Sequence, residues 1–190
     1  KIFHWKLNKG DTSTSKTGPS AGFGGKNFYA YTEANYAWRN QIGRLYTNRL
    51  AYDGDVCVRF ALHMYGKDIG AFRFYTIIDD QFDNGNKKLH VIGQQSKDWI
   101  IVTQDVRAEE TMRLVFEAQR GRTVYGDIGF DELRVVKGKC PRVDLRCDFG
   151  STRQHLCNMI QDMVSDDFDW ALVKGPAARG KGPINGFLDS

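Results

Sequence analysis

The chain has 190 residues, 41% of them hydrophobic and 13% aromatic, with 20 glycines and a net charge of +4. That length holds one ordinary folded domain, or one domain and part of another. The charge is small and scattered, which excludes the basic stripe of a nucleic-acid binder; no apolar run approaches the roughly 18 to 20 residues that insert across a bilayer.

A phrase near the start returns near the end. Phe3-His4-Trp5-Lys6-Leu7-Asn8-Lys9-Gly10 matches Phe168-Asp169-Trp170-Ala171-Leu172-Val173-Lys174-Gly175 at five of eight positions without a gap. A Gly-Pro pair follows each copy, Gly18-Pro19 and Gly182-Pro183. Phe, Trp and Leu two residues apart place three side chains on one face of a strand. A repeat this long is a whole domain rather than a solenoid unit. Residues 1–140 therefore read as one domain lacking its N-terminal strands, 141–146 as a linker, and 147–190 as the opening of a following copy. The start, Lys-Ile-Phe-His-Trp, lacks a signal-peptide pattern, and Lys1 is expected not to be the biological beginning.

Residues 11 to 25 read as a polar, Gly-rich surface loop, and the Gly22-Phe23-Gly24-Gly25 cluster lacks the Gly-Lys-Ser/Thr ending of a phosphate loop. Residues 27 to 33 predict a strand, with Tyr29, Tyr31 and Glu33 opposite Phe28, Ala30 and Thr32. A weaker strand is expected over Ile42 to Leu50. Asp55 to Tyr65 is the clearest one: Val56, Val58, Phe60, Leu62 and Met64 alternate strictly, which predicts one face on a core. Ala71 to Ile78 is expected to return as its antiparallel partner, and Asn84-Gly85 to turn a type I′ hairpin. Strands follow over Leu89 to Ile92, Trp99 to Val106, Thr111 to Ala118 and Asp127 to Val136. Helical periodicity is confined to a short turn near Cys157 to Met163. Seven or eight short strands with turns between them predict an all-β sandwich of antiparallel strands.

Four cysteines permit three pairings. The domain boundary chooses among them: pairing within copies predicts Cys57–Cys140 and Cys147–Cys157, each worth roughly 3 to 5 kcal/mol on a chain-entropy model. Cys57 points away from the apolar face of its own strand, so its bridge is expected to pin the last residues of the domain across the outer face of the sheet. No Cys-x-x-Cys or close His pair suggests zinc.

These residues resemble the MAM domain family of meprins, neuropilins and receptor tyrosine phosphatases of the mu type. The second copy's Cys147-Asp148-Phe149 … Leu156-Cys157 … Gln161-Asp162 … Asp166-Asp167-Phe168-Asp169-Trp170 is similar to the family's opening signature. The first copy supplies Thr17-Gly18-Pro19, Cys57-Val58-Arg59-Phe60, His63-Met64-Tyr65-Gly66 and Ile69-Gly70. Val115-Phe116-Glu117-Ala118, Gly126-Asp127-Ile128-Gly129-Phe130-Asp131-Glu132 and the closing Cys140 follow in family order. The resemblance implies a jelly-roll β-sandwich stapled by the same two disulfides, in an extracellular setting. There are departures: Gly150 stands where the family has Glu, and Cys157-Asn158-Met159 where it has Cys-Gly-Trp.

Chemistry is sparse. Asp127, Asp131 and Glu132 are candidate calcium ligands, as hard oxygens on loops; turn-forming and capping roles compete with that reading. His4, His63, His90 and His155 are dispersed, and neither His-Glu-x-x-His nor Gly-x-Ser-x-Gly occurs, so the chain is not expected to be an enzyme. The reading is a non-catalytic extracellular interaction and adhesion module of a tandem-repeat protein, whose partners are other MAM domains or subunits in homotypic association. A calcium-assisted carbohydrate-binding jelly roll is the alternative, with Tyr29, Tyr31 and Trp38 as stacking platforms for a glycan. A third is an accessory domain of a secreted enzyme.

Overall fold

Nine strands in two antiparallel sheets enclose a core of phenylalanines in the computed structural model, which describes residues 3–25, 28–142, 147, 149, 157, 159–162, 167, 168, 170 and 171. The strands are β1 (Trp5–Asn8), β2 (Tyr29–Thr32), β3 (Ile42–Tyr46), β4 (Gly54–Met64), β5 (Ala71–Ile77), β6 (Asn86–Ile92), β7 (Ile100–Ala108), β8 (Arg113–Gln119) and β9 (Ile128–Lys137). Sheet 1 runs β1-β2-β9-β4-β7 and sheet 2 runs β3-β8-β5-β6. This is the jelly-roll β-sandwich that the strand pattern and the family resemblance predict.

The alternation in β4 is what orients it. Val56, Val58, Phe60, Leu62 and Met64 all enter the core, and so do Met112, Leu114, Phe116 and Ala118 around β8 on the opposing sheet. Phe60 sits in the middle, its ring 5.8 Å from Phe72, 5.8 Å from Phe74, 5.4 Å from Phe116 and 5.5 Å from Phe130. Such tilted and edge-on contacts suit the ring quadrupole, and they tie the two sheets together through one residue. Trp5 closes the side of the sandwich: its ring packs on Phe130, and its Nε1 donates to the Gly43 carbonyl of β3 at 3.0 Å.

Two local expectations fail. β5 does not pair with β4; the chain crosses at residues 65–70 into the other sheet, where β5 lies between β8 and β6. Alternation tells which face of a strand is buried but not which sheet the strand joins. The crossing needs Gly66 at φ +147°, where an added Cβ would collide with the Tyr125 carbonyl. The β5–β6 connection is a hairpin without a type I′ turn. Phe82–Asn84 form a 3₁₀ turn and Gly85 is extended at φ −63°, while the left-handed residues are Asp79 and Asp80. Phe82 folds back on the outer face of sheet 2, against a small second cluster of Tyr75, Ile77 and Val115. The apolar contact there outweighs the preference of Asn-Gly for a tight turn.

In β9, Arg59 pairs with Arg134 but Ala61 pairs with Asp131, so one residue of β4 faces two of β9. This bulge puts Glu132 at φ +52° and accounts for the break in alternation between Phe130 and Leu133. Cys57 and Cys140 are joined with Cα atoms 4.6 Å apart, and Cys147 and Cys157 with Cα atoms 5.9 Å apart. The helical turn expected near Cys157 to Met163 lies in part outside the described residues, as do His155, Asp166 and Asp169.

Candidate functional site

The loop at residues 9–25 does more than connect. It lies over the outer face of sheet 1, where Thr17 Oγ1 donates to the Tyr65 carbonyl at 2.9 Å and accepts from the Asp127 amide at 3.0 Å. Gly18, at φ +69°, has no room for a side chain, because a Cβ would stand 2.7 Å from Thr12 and 3.1 Å from Asp127. Trp99 completes the cover, its Nε1 donating to the Ala21 carbonyl at 2.9 Å.

Under this cover lie two of the proposed stacking platforms. Tyr29 is 1% exposed and Tyr31 8%. The Tyr29 hydroxyl donates to the Gly10 carbonyl at 2.5 Å, and its ring packs edge-on against Trp99 at 5.8 Å. Neither ring offers a face to a glycan, which corrects the sequence reading. The two tyrosines do point away from the core, as alternation implies, but a loop read as free surface is folded on top of them. Burial, with the nearby charges of Glu33 and Asp127, pushes the Tyr31 hydroxyl up to about 12.

The acidic set is corrected too. Asp127 is fully buried ahead of β9, where its Oδ1 accepts the Ala34 amide at 2.8 Å and its Oδ2 has no protein partner. Burial first, then the neighbouring Glu33 carboxylate, push its pKa up to about 6, against the pull of the Ala34 N–H. Asp131 stands four residues along an extended strand, about 13 Å away at about 3.3 Å per residue. Its oxygens accept the Phe23 and Glu132 amides at 2.9 and 2.8 Å. Glu132 is turned outward by the bulge and pairs with Arg134 at 2.9 Å. Three carboxylates thus stand in three places. No group of three or more His, Cys, Asp or Glu side chains gathers as a metal site among the described residues. Asp127 and Glu33 alone fall short of the six to eight oxygens that calcium takes.

Trp38 is different: it is 73% exposed. Its turn is rigidly built, with Trp38 N donating to Gln41 Oε1 at 2.8 Å and Gln41 N to the Trp38 carbonyl at 3.2 Å. Asn40 and Arg120 then continue the β3–β8 ladder, Asn40 N donating to the Arg120 carbonyl and Arg120 N to the Gln41 carbonyl. Tyr36 and Ile42 stand exposed on either side in sequence, and Lys6 Nζ lies 5.4 Å from the Tyr36 ring. That contact brings β1 alongside, with Leu7 77% exposed. Leu7, Tyr36, Trp38 and Ile42 are thus all exposed on or beside the edge strands β1 and β3, with Leu7 on the opposite face of β1 from Lys6 and Ile42 on the outer face of sheet 2. Sequence reading singled out only Trp38 of these four; the others look like ordinary strand and turn residues until the two edges are seen side by side.

The family model described as MAM domain, meprin/A5/mu, matches residues 1–141. The chain belongs to the MAM domain family. Human zonadhesin is 30% identical over 190 residues, covering 96% of this chain and 7% of that protein. Human MAM domain-containing protein 2 is 30% identical over 143 residues, covering 74% of this chain and 21% of that one. This MAM domain chain thus spans only a small part of the curated relatives it matches. Among solved structures, the K1 cleaved adhesin domain of Lys-gingipain from Porphyromonas gingivalis superposes with a TM-score of 0.55 at 15% identity, covering 72% of this chain and 85% of that one. That likeness shows the sandwich fold alone. Two disulfides and membership of this family set the MAM domain in an oxidising, extracellular environment.

Proposed function

We propose that this MAM domain is a non-catalytic extracellular adhesion module that associates with further MAM domains through the β1/β3 edge. The observation that carries the reading is the exposed indole of Trp38, on a turn whose backbone is held by hydrogen bonds with Gln41, with Tyr36 and Ile42 exposed on either side in sequence. Exposed aromatics on a rigid scaffold lose little entropy on docking, and Trp and Tyr dominate the energetics of protein interfaces. Among the described residues, β1 is the last strand of sheet 1, and its outer edge offers backbone groups that a neighbouring strand can pair with. Zonadhesin bears adhesion in its name, which fits this use. In sedimentation experiments on the whole chain, Trp38→Ala together with Leu7→Ser is expected to weaken self-association roughly tenfold or more. The melting temperature should stay unchanged, because neither side chain is buried. Association that survives both substitutions rules out this edge.

The same proposal includes a tandem arrangement in which residues 147–190 open a second unit beyond a linker at 141–146. It is supported by the repeated phrase. Phe3 is buried and Trp5 packs on the core, whereas Phe168 and Trp170 are both largely exposed. A chain ending at Arg142 is expected to unfold within about 1 kcal/mol of the full chain, roughly 2–4 °C. A larger loss would mean that the later residues complete the first sandwich, for which the Gln161 N–H to Gln95 Oε1 bond at 2.8 Å is the point to examine.

A further inference from the structure

The loop at residues 9–25 and the β4–β5, β6–β7 and β8–β9 connections meet at one end of the sandwich. Between them lies a hollow of about 320 Å³ lined by Lys16, Tyr65, Lys67, Gln94 and Tyr125. Hydrogen bonds from loop to loop fix its walls: Gly66 N donates to Gln94 Oε1 at 3.1 Å, Asp68 N to the Tyr125 carbonyl at 3.1 Å, and Gly18 N to the Tyr65 carbonyl at 2.9 Å. Two lysines are ordered against its tyrosines. Lys67 Nζ lies 4.6 Å from the centroid of Tyr125, and Lys97 Nζ 5.6 Å from that of Tyr65. Lys16, Lys67 and Lys97 form no ion pair with a described carboxylate. Asp68, next to Lys67, is taken by Arg122 at 3.3 Å and by the Thr123 hydroxyl. Asp162 follows Gln161, whose N–H reaches Gln95, and has an interaction of its own. The cations Lys16, Lys67, Lys97 and Arg122 therefore outnumber the carboxylates nearby, Asp68, Asp98 and Asp162. Deeper in, Asp127 accepts from the Ala34 amide and Arg120 donates to the Ala34 carbonyl, so their charges offset each other. His63 adds nothing, because burial lowers its pKa to about 4.

We propose that this hollow binds a sulfated saccharide, its sulfate ester on Lys16 and Lys67 and its hydroxyls on Gln94, Tyr65 and Tyr125. Three features select that chemistry. First, the lining cations are lysines. An ammonium is a compact point charge that meets a tetrahedral anion from any direction, whereas a planar carboxylate is better matched by a guanidinium fork. Second, the walls carry neutral donors beside the charges. Gln94 spends its oxygen on Gly66 and keeps its NH2 group, and the hydroxyls of Tyr65 and Tyr125 have no partner among the described residues. Such donors suit a ring rich in hydroxyls and have nothing to offer the acyl chains of a lipid. The tyrosine rings serve to place the lysines, so no stacking of the sugar on them is required. Third, the carbonyls in the wall are spent. That of Tyr65 accepts from Gly18 and Thr17, and that of Tyr125 from Asp68, which leaves no strand for a sulfated peptide to pair with. The volume is at the small end for ligand pockets and suits one or two sugar units. None of the lining residues belongs to β1, β3 or the Trp38 turn.

The test is an NMR titration of the full chain with a fully sulfated heparin tetrasaccharide. Its desulfated, N-acetylated counterpart, which keeps the carboxylates, is one comparison; inorganic sulfate and a sulfotyrosine peptide are the others. The sulfated tetrasaccharide should shift the signals of Lys67, Gln94, Tyr65 and Tyr125, and the desulfated one should not. Lys16→Gln together with Lys67→Gln should weaken its binding roughly tenfold or more. The melting temperature should not change, because both lysines are exposed. Lys67→Arg keeps the charge and should retain binding, and Lys87→Gln, which removes a charge from β6, should leave it unaltered. Equal binding of the desulfated tetrasaccharide, equally strong shifts from inorganic sulfate, tighter binding of the sulfotyrosine peptide, or an equal loss in Lys87→Gln would each overturn the proposal. So would the absence of shifts at millimolar sulfated tetrasaccharide.

Discussion

Replacing Cys57 and Cys140 together with alanine is expected to cost about 4–5 kcal/mol, the largest loss from any pair of substitutions considered. The bridge closes a loop of 83 residues that contains most of β4 and all of β5, β6, β7, β8 and β9. Cross-linking so long a loop removes about 4–5 kcal/mol of conformational entropy from the unfolded chain. The folded side is held as well. Gly138 at φ +94° turns the chain back after β9, its N–H donates to the Asp55 carbonyl at 2.7 Å, and the Cys140 amide donates to Asp105 Oδ1 at 2.6 Å. Without the covalent link, the residues after β9 are held only by these two bonds, while β9 itself stays paired to β4 up to Val56–Lys137. Thermal unfolding of the double variant should come roughly 10–20 °C lower, at about 2–4 °C per kcal/mol for a chain of this size. Removing Cys147 and Cys157 is the control. That bridge closes only 10 residues, and neither of its cysteines lies in a described strand, so its loss should leave the main transition in place. If the two double variants melt alike, the long loop is not what the bridge stabilises.

That asymmetry between the disulfides shows where sequence reading succeeds. Faces of strands were legible: the five alternating residues of β4 and the four around β8 all reach the core, because a strand with one buried face must alternate. Partnership between strands was not. β5 follows β4 after a short connection and looks like its hairpin partner, yet the two lie in opposite sheets. Cover was not legible either. Tyr29 and Tyr31 project outward, and only the three-dimensional path of residues 9–25 shows that they are roofed. Asp127, Asp131 and Glu132 are close in sequence, but an extended strand and a bulge send them apart. Arg44 and Arg73 are far from Glu117 in sequence, and only the register of three strands brings both onto its carboxylate. Spacing in sequence carries local chemistry in a helix or a tight loop; in a sandwich, neighbours come from pairing.

The stability of this MAM domain is expected to be nearly flat between about pH 4 and pH 6.5, for a reason that single substitutions will expose. Asp127 titrates at about 6 in the fold against an ordinary 3.8. The folded state therefore binds its proton more tightly than the unfolded state does. Its contribution is complete below about pH 4 and is lost as pH rises through about 6, a swing of about 3 kcal/mol at about 1.4 kcal/mol per unit. His63 runs the other way. It lies beneath Trp99 with ring centroids 5.3 Å apart, its Nε2–H donating to the Lys97 carbonyl at 2.8 Å and its Nδ1 without a partner. Burial lowers its pKa from 6.5 to about 4, against the Lys97 hydrogen bond and the charge of Asp98. Its contribution is complete above about pH 6.5 and is lost as pH falls toward 4, again by about 3 kcal/mol. Over the shared window, acidification gains at Asp127 what it loses at His63. Asp127→Asn removes the first contribution and keeps the acceptor for the Ala34 amide, so urea unfolding of this variant should weaken by about 3 kcal/mol from pH 6.5 to pH 4. His63→Gln keeps a donor for the Lys97 carbonyl and should show the opposite slope. If both variants retain the flat profile, these two buried groups do not govern the acid response. If the parent itself loses stability steeply below pH 6.5 while Asp127→Asn is no steeper, the carboxylate at 127 is charged and satisfied in solution, and its unpartnered oxygen has found a cation or water.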